Sequence, residues 1–131
     1  MSITINGMDG NPATTRDVDA SPNNFVYANF LLAFSGSYST GGDTLDLTTI
    51  SKIIPSATFL NAFIDGNGTG SQQSAAGGYY QVVGNPIAGT ALNGYKVKIF
   101  SAGGSELSAG SYPSAVTGDY VTLQTMWRKL I

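Results

Sequence analysis

Asp65-Gly66-Asn67-Gly68-Thr69-Gly70 has the opening of an EF-hand calcium loop, in which alternate oxygen ligands wrap a hard cation. The bidentate carboxylate due at the twelfth position falls on Ala76, and no helix is expected on either side. The stretch therefore reads as a hairpin loop. Asp43 and Asp46 suggest a carboxylate pair for acid–base work on one bond. Three residues apart on a strand, however, they fall on opposite faces. The expectation is a turn cap for Asp43 and a solvated outer face for Asp46. Glu106 is the single glutamate, with no acid or base near it in sequence. The chain has no histidine and no cysteine, which removes thiol chemistry, disulfides, Cys/His zinc sites and Ser-His-Asp or Cys-His catalysis. No enzyme, cofactor or metal site is expected.

Strands are the elements available to position such groups. With 131 residues the chain is expected to form one domain that buries roughly two-thirds of its unfolded surface. Near its end, Val121, Leu123 and Trp127 fall on alternate positions, with Thr125 breaking the row. The opposite row, Tyr120 to Arg128, is mixed to polar. That period of two marks a strand with one buried face. Phe25–Phe34 is apolar on both faces: Val26, Ala28, Phe30, Leu32 and Phe34 on one, Phe25, Tyr27, Leu31 and Ala33 with Asn29 on the other. The row of Phe25, Tyr27 and Leu31 is too apolar to face water alone and is the candidate protein interface.

Shorter strands are expected at Asp43–Leu47, Ala57–Ile64, Tyr79–Val83 and Tyr95–Phe100. In the second of these, Leu60, Ala62 and Ile64 lie opposite Phe59 and Phe63. Thr48–Ile54 reads as one helical turn stopped by Pro55. Asn93-Gly94 is a hairpin signal, and Lys96 and Lys98 share an outer face where they would guard a sheet edge. The loop from Asp65 to Gly78, rich in Gly, Ser and Gln, is long enough to suggest a partner. The fold class is all-β: an antiparallel, jelly-roll-like β-sandwich of six to eight short strands over residues 25–131. Residues 1–24, crowded with turn dipeptides such as Asn6-Gly7 and Asp9-Gly10, read as an extended arm in which Ser2–Ile5 is the one edge strand.

Charged residues make up 11% of the chain, against a usual quarter, and the net charge is −2. That balance argues against a nucleic-acid or anionic-membrane partner. No apolar run approaches the roughly 20 residues of a membrane span, and Met1-Ser2-Ile3-Thr4 lacks the features of a signal peptide. Synthesis in a cytoplasm is expected. Seven tyrosines suit a protein interface or a sugar-stacking surface. For the latter, Tyr79, Tyr80 and Asn85 are the local candidates.

Gly41-Gly42-Asp43-Thr44-Leu45-Asp46-Leu47 follows the first long strand. Glu106 to Asp119, with Ala109-Gly110-Ser111-Tyr112-Pro113 at its centre, precedes an alternating strand that closes on Arg128-Lys129-Leu130. This layout, over residues 25–131, resembles the small β-sandwich decoration or cement proteins of tailed bacteriophages. The resemblance implies a virion protein on the capsid exterior, commonly a trimer, whose partner is the major capsid protein. The alternative is a head-fibre or receptor-binding, carbohydrate-binding adhesive module.

Overall fold

Alternation of apolar side chains decides which strands meet. A computed structural model describes residues 3–15, 18–19, 25–54, 57–65 and 79–129. Its elements run β1 (Ile3–Asn6), β2 (Val18–Asp19), β3 (Phe25–Phe34), β4 (Ser37–Tyr38), β5 (Asp43–Leu45), α1 (Thr48–Ser51), β6 (Ala57–Asp65), β7 (Tyr79–Val83), β8 (Tyr95–Phe100), β9 (Gly110–Ser111), α2 (Ser114–Thr117) and β10 (Val121–Lys129). Both helices are single turns, and the ladders are antiparallel. The chain is all-β and sandwich-like, as its turn spacing predicts.

The two long runs picked out by their periodicity, β3 and β10, lie side by side at the centre of the larger sheet. Its order is β1-β3-β10-β6, with β2 also on β3. Their inner rows supply Val26, Ala28, Phe30, Leu32 and Phe34 from β3, and Val121, Leu123 and Trp127 from β10. A smaller sheet, β5-β8-β7, turns Leu45, Tyr80, Tyr95, Val97 and Ile99 toward them. Ring contacts join the two layers: Phe59 of β6 meets Tyr95 of β8 edge-on at 5.0 Å, and Phe34 stacks on Tyr80 at 5.8 Å. The ribbon β4-β9 and α1 close the core with Tyr38 and Ile50. Gly84 is required beside it. Its φ of 155° suits glycine, and a Cβ there would stand 2.3 Å from the Tyr95 ring.

The edge strand expected at the start of the chain is present as β1, which pairs with β3, as does β2. Ile3 and Ile5 alternate with Thr4, and Ile3 is thereby buried in the core. Two expectations need correction. Strict alternation would set Phe59 and Phe63 on one face of β6. A bulge prevents this: Trp127 pairs with Phe59 and its neighbour Met126 with Asn61, which leaves Leu60 as the extra residue. Phe59 enters the core and Phe63 faces out. Lastly, β8 is the central strand of its sheet, so Lys96 and Lys98 line an outer face and guard no edge. Among the described residues, no helix is long and apolar enough to cross a membrane.

Candidate functional site

The register of β3, β10 and β6 sets six outward side chains in two rows of three. Gln124 lies between Asn29 and Phe63, and Met126 lies between Tyr27 and Asn61. Tyr27 and Phe63 therefore take opposite corners of the grid, and Asn29 and Asn61 take the other two. Both rings are open to solvent, Tyr27 at 46% and Phe63 at 49% exposure. Together with Thr125 the six line a shallow depression of about 380 Å³. None of them carries a charge. From strand spacing and rise, the backbone positions that carry the two rings are ~12 Å apart.

Of the candidate interface row, Tyr27 alone stands clear. Phe25 is half-buried, with the Arg128 guanidinium 5.8 Å from its ring centroid. Leu31 is half-buried between Asn6 of β1 and Thr122 of β10. The flanking strands thus cover much of a row that sequence reading left bare. Phe63, Asn61, Asn29, Gln124 and Met126 are the residues that reading missed. Polar positions on the alternate rows were a visible signal, but the bulge concealed Phe63.

A second feature is the loop between β7 and β8. The Asn85 side-chain Oδ1 accepts the N–H of Ile87 at 3.0 Å and of Ala88 at 3.2 Å. The Asn85 N–H donates to Thr90 Oγ1 at 2.9 Å, and the Thr90 N–H returns to the Asn85 carbonyl at 3.1 Å. This bracing presents Ile87 at 97% exposure. Beside it lies a groove of about 300 Å³, with Pro86, Leu92, Phe59, Tyr95 and Trp127 in its wall. The Tyr95 hydroxyl is buried and has no hydrogen-bond partner among the described residues.

The carboxylates among the described residues do not converge on one site. Asp43, expected as a turn cap, accepts the Ser39 N–H at 3.1 Å, and it is also buried, accepting the Tyr112 hydroxyl from 69 residues away. Glu106, solitary in sequence, accepts the Tyr38 hydroxyl and the Gly41 N–H, each at 2.6 Å. Asp119 accepts the Tyr80 hydroxyl at 2.7 Å. Asp46 accepts the N–H and hydroxyl of Thr48, the first residue of α1. Asp9 accepts the N–H of Asn11.

Charge follows from these contacts. The Tyr38 hydroxyl, then the Gly41 N–H, hold Glu106 below the usual carboxylate range, which makes it a weak base. Burial, then the bond to Glu106, pushes Tyr38 up to about 12. Burial followed by their aspartates drives Tyr80 and Tyr112 further above the usual phenol value. Burial also raises Tyr95. These pairs are cross-links between distant segments.

Of the sugar-row candidates, Tyr80 is in the core, Asn85 braces its own loop, and Tyr79 stacks on Phe100 at 4.8 Å. They form no row. The calcium-like stretch lies outside the described residues from Gly66 onward, as does the loop through Gly78. Among the described residues, no group of three or more acidic, histidine or cysteine side chains is placed to hold a metal ion. No family model, curated protein or solved structure matches this chain.

Proposed function

We propose that the chain is a structural virion protein that decorates the outer surface of a tailed-phage head and cements its lattice. In this reading it acts as a homotrimer on the major capsid protein, without catalysis or a cofactor. The observation that carries the reading is the braced loop with Ile87 held almost fully in solvent. A braced backbone spares a partner the cost of ordering the loop, so more of the burial of Ile87 counts toward binding. Symmetric copies on a capsid multiply each such contact. The use of Asp43, Glu106 and Asp119 as acceptors for tyrosine hydroxyls supports the same view, since it commits them to holding the fold. Residues 1–24 and the 65–78 loop are the further contact segments.

The test strips the protein from purified heads, adds it back, and measures heat and osmotic resistance. Wild-type protein is expected to bind in moderate salt, because few charges are involved, and to restore resistance. Ile87→Asp should fold normally and bind at least about tenfold more weakly. Wild-type protein that neither binds nor protects heads would overturn the proposal.

A further inference from the structure

We infer that the outward face of β3, β10 and β6 is a binding site for a neutral oligosaccharide. Tyr27 and Phe63 serve as stacking platforms, and Asn29, Asn61 and Gln124 bond the hydroxyls between them. This inference does not depend on the capsid reading.

The chemistry of the grid selects the ligand. A pyranose ring offers weakly positive C–H groups on one face, which suit the negative face of an aromatic ring. Its hydroxyls both donate and accept, and a carboxamide does the same, whereas a carboxylate accepts alone and an ammonium donates alone. Three carboxamides and two half-exposed rings within one depression match that pattern. The six grid residues carry no charge, so nothing in the grid compensates an acidic ligand. Rings rooted ~12 Å apart on the sheet stand beyond the 4.5–7 Å of stacking contact, so each suits a separate sugar ring. The ligand is a chain of linked sugars.

Size argues against a second copy of this protein as the occupant. Three strands by two side-chain pairs span on the order of 200 Å². A stable protein interface needs roughly 800 Å² from each partner. Beyond the grid, the next outward position on β10 is Arg128, engaged with Phe25, and on the other side Thr122 is buried. Asp19 of β2 pairs with Tyr27 and Asp65 of β6 pairs with Thr122, so charged positions bound the uncharged patch.

The experiment uses the isolated full chain on an array of neutral and acidic oligosaccharides. Nitrogen-15 NMR titration with the best-retained neutral member follows. Neutral chains should be retained, and the side-chain amide signals of Asn29, Asn61 and Gln124 should shift on titration. Tyr27→Ala and Phe63→Ala should each weaken binding about tenfold with the fold unchanged, since both rings are half exposed. Retention of no neutral glycan, retention indifferent to both variants, or a preference for acidic chains would each overturn the inference. So would sugar-independent shifts of the same amides with protein concentration, which would give the face to a second copy. Heads play no part here, so this outcome and the capsid outcome are read separately.

Discussion

Trp127 donates its indole N–H to the hydroxyl of Thr125, two residues back on the same inner row, at 2.9 Å. That hydroxyl in turn donates to the Ala28 carbonyl on β3 at 2.8 Å. The polar break in an otherwise apolar row is the partner of the chain's one tryptophan. Thr125→Val keeps the shape but leaves the buried indole N–H unpaired. It should cost about 1–3 kcal/mol in urea unfolding, whereas Thr125→Ser should retain the bond and lose mainly a methyl group's packing.

Stability should fall on the alkaline side. Tyr38, Tyr80 and Tyr112 hold their protons more tightly in the folded chain than the ordinary value of 10.0 allows. Below pH 10 both states are protonated and the full stability is present. Above it the unfolded chain ionises first, so each tyrosine removes about 1.4 kcal/mol per pH unit, for Tyr38 up to its folded value of about 12. Glu106 works in the opposite sense. Its folded value is lowered, so its contribution is present above the unfolded value and is lost as pH falls through the folded one. Urea midpoints across pH should show both limbs, and Glu106→Gln should flatten the acid one.

Tyr95 is the converse case. Its buried hydroxyl has no hydrogen-bond partner among the described residues, so Tyr95→Phe removes a desolvated polar group without breaking a described bond. Thermal and urea unfolding should show equal stability or a gain of about 1 kcal/mol. A clear loss would mean that something in the adjoining groove bonds that oxygen.

Deleting Leu60 should be severe. The bulge it forms lets Phe59 reach Tyr95 at 5.0 Å and Trp127 at 5.1 Å while Phe63 faces water. Without it, one of the two phenylalanines must change face. The expected loss is that of removing a core aromatic, about 3–5 kcal/mol, read by denaturant unfolding.

What the sequence made legible follows from distance along the chain. The bounds of β3, the inner row of β10 and the helical turn before Pro55 could be read because period-two alternation and proline are local signals. Thr125 looked like a flaw because its partners lie across a ladder. The Asp43–Tyr112 and Glu106–Tyr38 bonds span 69 and 68 residues, so no local pattern announces them. The grid of Tyr27, Asn29, Asn61, Phe63, Gln124 and Met126 exists only through the register of three strands, and one extra residue, Leu60, decides its composition. The position of β8 inside its sheet likewise depends on topology, which is why Lys96 and Lys98 looked like edge guards.

We propose that the chain decorates phage heads by docking through the loop bearing Ile87, which leaves the Tyr27–Phe63 face open. A cryo-electron microscopy reconstruction of stripped heads after add-back of the protein puts this to the test. The expected result is added density at symmetric sites on the head exterior, with Ile87 covered by the major capsid protein and the face of β3, β10 and β6 turned to solvent. Heads without added density, or decorated heads with Ile87 in solvent, would contradict it.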